Sequence, residues 1–290
     1  MTELDKFLTR AEAFLARLEA TLPQAHLPTD WNAATAFRWR RYRGKGTSGY
    51  LQPIIHTSAI ALDDLHNIER QKQLLVQNTR QFLEGKPANN VLLTGARGTG
   101  KSSLIKACLN EFALEGLRLI EVDKSDLVDM MDIVDLVAAR PERFIIYCDD
   151  LSFEEGETGY KALKVALDGS VATQSNNVLV YATSNRRHLM PERVSDNRPV
   201  ARSDDGELHP SETVEEKNSL SERFGIWLSF YPFSQDEYLD IVGHWLHAFG
   251  CHADEFEAAR AEALRWALQR GSRSGRVAWQ FAKDHVGKLK

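Results

Sequence analysis

The sequence predicts an α/β protein: a parallel sheet of five strands with helices on both faces, a helical extension before it and a small helical lid after it. Three observations carry this. Short apolar runs alternate with amphipathic stretches between residues 91 and 230, the first run breaks into glycines, and three helical patterns follow one another beyond residue 233. The division expected is an extension over 1–58 rich in aromatic and basic residues, an α/β domain over 59–232 and a lid over 233–290.

Composition sets the outer bounds. The 290 residues are 43% hydrophobic, enough for a full core, and a formal net charge of -5 leaves no global basic field for nucleic acid or a membrane surface. Cys108, Cys148 and Cys251 lie far apart among apolar residues, as reduced core thiols do. The amino terminus carries Glu3, Asp5, Glu12 and Glu19 within its apolar pattern, against the rule for a signal peptide, and no apolar run reaches membrane-spanning length. A cytoplasmic protein without a membrane partner is expected.

In chain order, Leu4, Phe7, Leu8, Ala11, Phe14, Leu15 and Leu18 stand at helical spacing and end before Pro23. Next, Trp31, Phe37, Trp39 and Tyr42 interleave with Arg38, Arg40, Arg41, Arg43 and Lys45. This patch over 37–45 has two readings. Its aromatics anchor the segment to the core while its arginines pair with acids in the middle of the chain, or it stacks bases and neutralises phosphates of a single strand. After a link at Gly44–Gly49 comes an extended piece and a long helix that stops at Gly85-Lys86-Pro87.

Val91 to Cys108 then reads as a strand, a glycine turn and a helix. Gly95-Ala96-Arg97-Gly98-Thr99-Gly100-Lys101-Ser102 fits G-x-x-x-x-G-K-[ST]. Glycines let successive N–H groups turn inward around an anion, and the helix beginning at Lys101-Ser102-Ser103 points its positive end at the same place. Lys101 supplies a mobile charge for β- and γ-phosphates, and Ser102 a hydroxyl for Mg²⁺. The ligand so described is a nucleoside triphosphate.

A second strand is expected over Leu117–Val122 and a helix over Ser125–Ala139, whose Asp126, Asp129, Asp132 and Asp135 read as a solvated face. RFIIYCDD, Arg143 to Asp150, is a buried strand with acids only at its carboxyl end, where ligands of parallel sheets collect. Asp149 is placed to hold Mg²⁺ beside Ser102, and Asp150 to orient and deprotonate water, with Glu154 and Glu155 as reserve carboxylates. A short helix at Tyr160–Leu167 precedes a fourth strand, Asn177–Ala182, which leads to Asn185, an amide able to bond phosphate or water. Residues 186–218 form a long polar loop holding His188 and His209, and Arg223 stands just before a fifth strand ending near Phe230. The lid helices are expected at 234–249, opened by the capping box Ser234-x-x-Glu237, at 254–270 and at 274–285. Arg276 opens the last of these, where a cation opposes the helix dipole and needs another reason.

NNVLLTGARGTGKSSLIKA, FIIYCDDLSFEEGE, VLVYATSNRRHLMPE and SLSERFGIWLSF together resemble the AAA+ ATPase superfamily, more closely a bacterial family of AAA+ ATP-binding proteins. The Asp149-Asp150 ending is similar to that of replication-initiator and helicase-loader members. This resemblance implies ATP as ligand, Mg²⁺ as its ion, and the strand order 5-1-4-3-2. It also implies Asn185 as sensor 1, Arg223 as an arginine finger reaching a neighbour's nucleotide in a homo-oligomer, and Arg276 as sensor 2, with Arg273 three positions away as a rival. Hydrolysis of ATP to ADP and phosphate, coupled to remodelling or loading of a protein or nucleic-acid client, is the activity it implies; a nucleotide-dependent switch with little turnover is the alternative. Two departures stand out. Asp150 replaces the more usual glutamate and is one methylene shorter, and Val122–Met131 lacks an aromatic-hydrophobic-glycine pore loop.

Overall fold

The computed structural model describes residues 3–21, 29–41, 49–153, 157–168, 176–186, 189 and 220–289. Glu154, Glu155, His188, His209, Tyr42, Arg43, Lys45 and nearly all of the 186–218 loop lie outside the described residues.

Helix α1 (Glu3–Thr21) leads to strands β1 (Ala36–Arg41) and β2 (Gly49–Pro53), then α2 (Glu69–Leu83). Strand β3 (Val91–Gly95) and helix α3 (Lys101–Phe112) flank the glycine turn, and β4 (Leu117–Glu121), α4 (Met130–Val137), β5 (Arg143–Cys148), α5 (Thr158–Asp168), β6 (Val178–Ser184) and β7 (Ile226–Phe230) follow. Helices α6 (Gln235–Ala248), α7 (Ala253–Arg270) and α8 (Gly275–Leu289) make up the carboxyl-terminal part.

The sheet has seven strands rather than the five expected, and its order is β2-β1-β4-β5-β6-β3-β7. The five parallel strands read from the sequence sit side by side, as β7, β3, β6, β5 and β4, and a hairpin continues the sheet beyond them. β1 pairs parallel with β4 and antiparallel with β2. The amino-terminal extension is therefore not wholly helical. In AFRWRR, Phe37 and Trp39 face inward and are buried while the arginines between them face out, the period-2 alternation of a half-buried strand.

The first reading of the 37–45 patch describes its visible part. Arg38 donates to Glu121 at 2.7 and 3.0 Å, Arg40 lies 3.7 Å from Asp123, and Arg41 donates twice to Asp129, at 2.6 and 2.9 Å. Trp39 Nε1 donates to the same Asp129 carboxylate at 3.0 Å. Asp129 is thus no part of a solvated face: it is buried in a 3-10 turn, Lys124–Asp129, where a continuous helix was expected. Asp132 and Asp135 are exposed.

Because side chains alternate along a strand, each central strand feeds two cores. On one face, Val91 and Leu93 pack with Leu104, Cys108 and Phe112 of α3, Leu75 of α2 and, continuously, Tyr238 and Phe281 of the carboxyl-terminal helices. On the other, Leu92, Phe144 and Ile146 meet Ile133 and Val137 of α4 and Leu163 of α5. Cys108 and Cys148 sit in these cores, where burial pushes their thiols up to about 12, so neither is a thiolate near neutrality.

Candidate functional site

The glycine turn leaves the carboxyl end of β3 with Gly95, Gly98 and Gly100 all at positive φ. At two of them the neighbours also demand glycine. A Cβ on Gly95 would lie 1.9 Å from the Phe230 carbonyl of β7, and one on Gly98 would lie 2.8 Å from the Ser274 side chain. Thr99 Oγ1 closes the turn by donating to the Ala96 carbonyl at 2.8 Å.

Parallel register brings the other groups to the same end. Cys148 lies beside Ala182, so Asp149 and Asp150 emerge next to Thr183, which in turn lies beside Leu93 of β3. Thr183 Oγ1 donates to Asp149 Oδ1 at 2.6 Å and accepts the Asp150 N–H at 2.9 Å. Ser102 Oγ donates to Asp149 Oδ1 at 2.8 Å. Burial works to raise the Asp149 carboxyl, but the hydrogen bonds from Thr183 and Ser102 win and hold it below the ordinary range. A serine hydroxyl and an ionised carboxylate in contact form an all-oxygen donor pair, which fits a hard cation such as Mg²⁺.

Lys101 Nζ donates to the carbonyls of Gly95 and Ala96, at 2.8 and 2.7 Å, and to Asn185 Oδ1 at 3.1 Å. Burial is the main influence on its ammonium and lowers its pKa, against the pull of Asp150 and Asp149. The other end of the Asn185 amide donates to Asp150, which sits at a φ of 51°, and Arg97 stands 3.9 Å from the same carboxylate.

These groups line one cavity of about 1030 Å³. Arg97, Gly98, Thr99, Gly100, Lys101, Ser102, Ser103, Asp149, Asp150, Asn185 and Arg276 are all on its wall. Gly95 and Ala96 reach the site through their carbonyls on Lys101. Arg223 is not on the wall, and its guanidinium is bonded to Asp168 at the end of α5. Arg273 borders a separate groove with Gln235 and Leu268.

Sequence reasoning missed Thr183, the hydroxyl that ties both acids, and much of the rest of the cavity wall. That part includes Ile60, Leu65 and His66 before α2 and Ile241, Trp245 and Trp279 of the lid. The only signal in the sequence is apolar spacing, which sets Ile241 and Trp245 on one face of a helix. A clasp holds the two segments together. Asn67 Nδ2 donates to the Glu237 carbonyl at 3.3 Å and to Asp240 at 3.0 Å, His244 Nε2 meets Asp64 at 3.2 Å, and the rings of His66 and His244 lie 4.3 Å apart.

A mostly parallel sheet with a glycine loop after β3, acids at the next strand but one and a helical lid lining the cavity defines a P-loop protein of the AAA+ superfamily. Within it, the chain belongs to the family described as "Protein of unknown function (DUF815)", whose model matches residues 32–289. It is 37% identical over 71 residues to the replication factor C large subunit of Staphylothermus marinus, covering 24% of this chain and 16% of that one. The corresponding Aeropyrum pernix subunit is 36% identical over 84 residues, 28% of this chain and 17% of that one. Among solved structures, the RuvB Holliday junction branch migration motor of Thermotoga maritima matches with a TM-score of 0.50 at 16% identity, covering 77% of this chain and 63% of that one. A point variant of the same protein reaches 0.52 at 17%. The chain spans under a fifth of the curated relatives it matches, and at the identity to RuvB the likeness concerns the fold alone. Among the described residues, no helix is long and apolar enough to cross a membrane.

Proposed function

We propose that this protein binds ATP with Mg²⁺ in the cavity between sheet and lid and hydrolyses it to ADP and phosphate, working in a homo-oligomer that remodels or loads a partner. The observation that carries the reading is the gathering of Lys101, Ser102, Asp149, Asp150, Asn185 and Arg276 on one wall, around a space large enough for a nucleotide. A shared fold with a branch migration motor and the replication factor C similarity support a remodelling or loading role over a metabolic one.

In this reading the amides of residues 95–103 cradle the phosphates, and Lys101 leaves the loop carbonyls for the β- and γ-oxygens. Ser102 and Asp149 would hold a magnesium ion, which when bound would neutralise charge on the phosphates. Asp150 takes a proton from the attacking water as the bond from γ-phosphorus to the bridging oxygen breaks and ADP leaves. Asn185, already bonded to Lys101 and Asp150, orients that water, and Arg276 meets the γ-phosphate from the lid. Arg223 serves a neighbouring protomer. The three-part division at residues 58 and 232, a cytoplasmic location and an unidentified protein or nucleic-acid client complete the proposal.

Phosphate release from ATP by purified protein tests it: Lys101→Ala should lower turnover by about 10²-fold or more. An unchanged rate would sink the enzyme. A second reading, a switch that binds ATP with little turnover, is favoured by the engagement of Asp150 with both Asn185 and Arg97. Tight ATP binding without phosphate release at any protein concentration would select it.

A further inference from the structure

The lid touches the phosphate loop through one backbone hydrogen bond. The Gly275 N–H, first in α8, donates to the Gly98 carbonyl at 2.9 Å. Around it the fit is close: a Cβ on Gly98 would lie 2.8 Å from Ser274 Cβ and Oγ and 3.6 Å from Arg276 Cβ. Ser274 is buried there and its Oγ accepts the Val277 N–H at 3.3 Å, so the cap that starts α8 is pressed against the loop.

Two consequences follow from chain geometry. The first N–H groups of a helix have no partner within it, and this one is spent on the loop instead of on solvent. Arg276 is the next residue, so the bond that seats Gly275 on Gly98 also fixes where the Arg276 side chain starts. Arg273, beyond the cap, is left to its separate groove.

We propose that the Gly275 amide and the Gly98 carbonyl form a latch, with Gly275 as the positioning residue for Arg276. The latch seats the lid on the phosphate loop and so aligns the guanidinium with the terminal phosphate. Gly98 is then glycine for two reasons, its φ of 74° and the approach of Ser274. The proposal rests on the ATP reading given above only in its last step, the alignment on phosphate.

Proline is accepted in the first position of a helix and lacks the N–H, so Gly275→Pro deletes the bond without breaking α8. Gly275→Ala keeps the N–H, and its Cβ would lie 3.4 Å from the Gly98 oxygen. In nucleotide-free protein, hydrogen exchange over 272–280 should quicken in Gly275→Pro and in Gly98→Ala while Gly275→Ala stays protected. Unchanged protection in both of the former overturns the latch, whatever the protein binds. In Mg-ATP and Mg-ADP titrations, Gly275→Pro should lose about tenfold of the ATP preference, as Arg276→Ala does, and the double variant should lose no more. Additive losses, or a proline variant with wild-type preference, overturn the positioning role. Wild-type protein that retains neither nucleotide overturns the ATP reading, and with it the alignment on phosphate, while the exchange result decides the latch alone.

Discussion

Two clusters of opposite charges sit on this sheet and are spent differently. At the β1 edge, Arg38, Arg40 and Arg41 face Glu121, Asp123, Asp126 and Asp129, each arginine in contact with at least one acid of its own chain. At the carboxyl ends of β3, β5 and β6, Arg97 lies 3.9 Å from Asp150 while Lys101 and Asp149 are bonded to uncharged neighbours, and all four line an open cavity. The first cluster fastens a hairpin to the sheet. The second holds its partners loosely enough to exchange them for phosphate and metal, because Asp150 and Arg97 are exposed and Lys101 is held mainly by carbonyls it can leave. The lesson is that acid and base density marks both places equally, and the empty volume between the charges tells them apart.

The largest expected effect concerns an arginine that belongs to neither cluster. Arg223 is bonded to Asp168, outside the cavity of its own chain. If it acts across an interface, turnover per protomer should rise with protein concentration, and Arg223→Ala should cut the assembled rate by about 10³-fold. A rate independent of concentration would place Arg223 with the β1 arginines as a structural residue.

Within the cavity, Asp150→Asn keeps the shape and an oxygen for Asn185 but cannot accept a proton. Steady-state turnover should fall by about 10²-fold with ATP affinity nearly unchanged. Equal losses of binding and rate would mean that the group seats nucleotide and does not activate water.

At the β1 edge the order of effects reverses. Asp129→Ala strands the Trp39 N–H and the Arg41 guanidinium, and should cost about 2 kcal/mol of folding stability in denaturant titration. Turnover per folded molecule should hold. Single-strand binding that weakens steeply with salt and is lost with Arg38 and Arg40 would instead give these residues a second use.

The difference between the clusters also explains what the sequence discloses. The loop Gly95–Ser102 was legible because backbone chemistry fixes its spacing, and Asp149 and Asn185 because a parallel sheet delivers strand ends to one edge. The β1 strand was missed although AFRWRR alternates with period 2. Arginine and aromatic residues together suggest a binding patch before they suggest a strand, and only β4, some 80 residues on, supplies the edge that β1 needs. Asp129 looked solvated for the same reason, since its partners Trp39 and Arg41 come from that unread strand. Trp245 and Ile241 show the limit of such reading, because spacing along a helix tells which residues share a face and not whether that face meets packed side chains or a cavity.

The smallest effect is in pH. Burial pushes the Asp129 carboxyl up, but the hydrogen bond from Arg41, then that from Trp39, outweighs it and leaves the group below its ordinary value. A carboxyl depressed in the folded state binds its proton more readily when unfolded, so it stabilises the fold at neutral pH. That contribution is lost as pH falls through the ordinary aspartate range, near about 4, to the lower folded value. Asp129→Asn removes the titration while keeping an oxygen for Trp39. The stability gap between wild type and this variant should be constant from pH 7 to about 5 and narrow below about 4. Arg41→Gln should shrink the gap at neutrality, since it removes the main support for the charge. A gap that persists unchanged into acid would mean that shape, and not charge, holds the hairpin on the sheet.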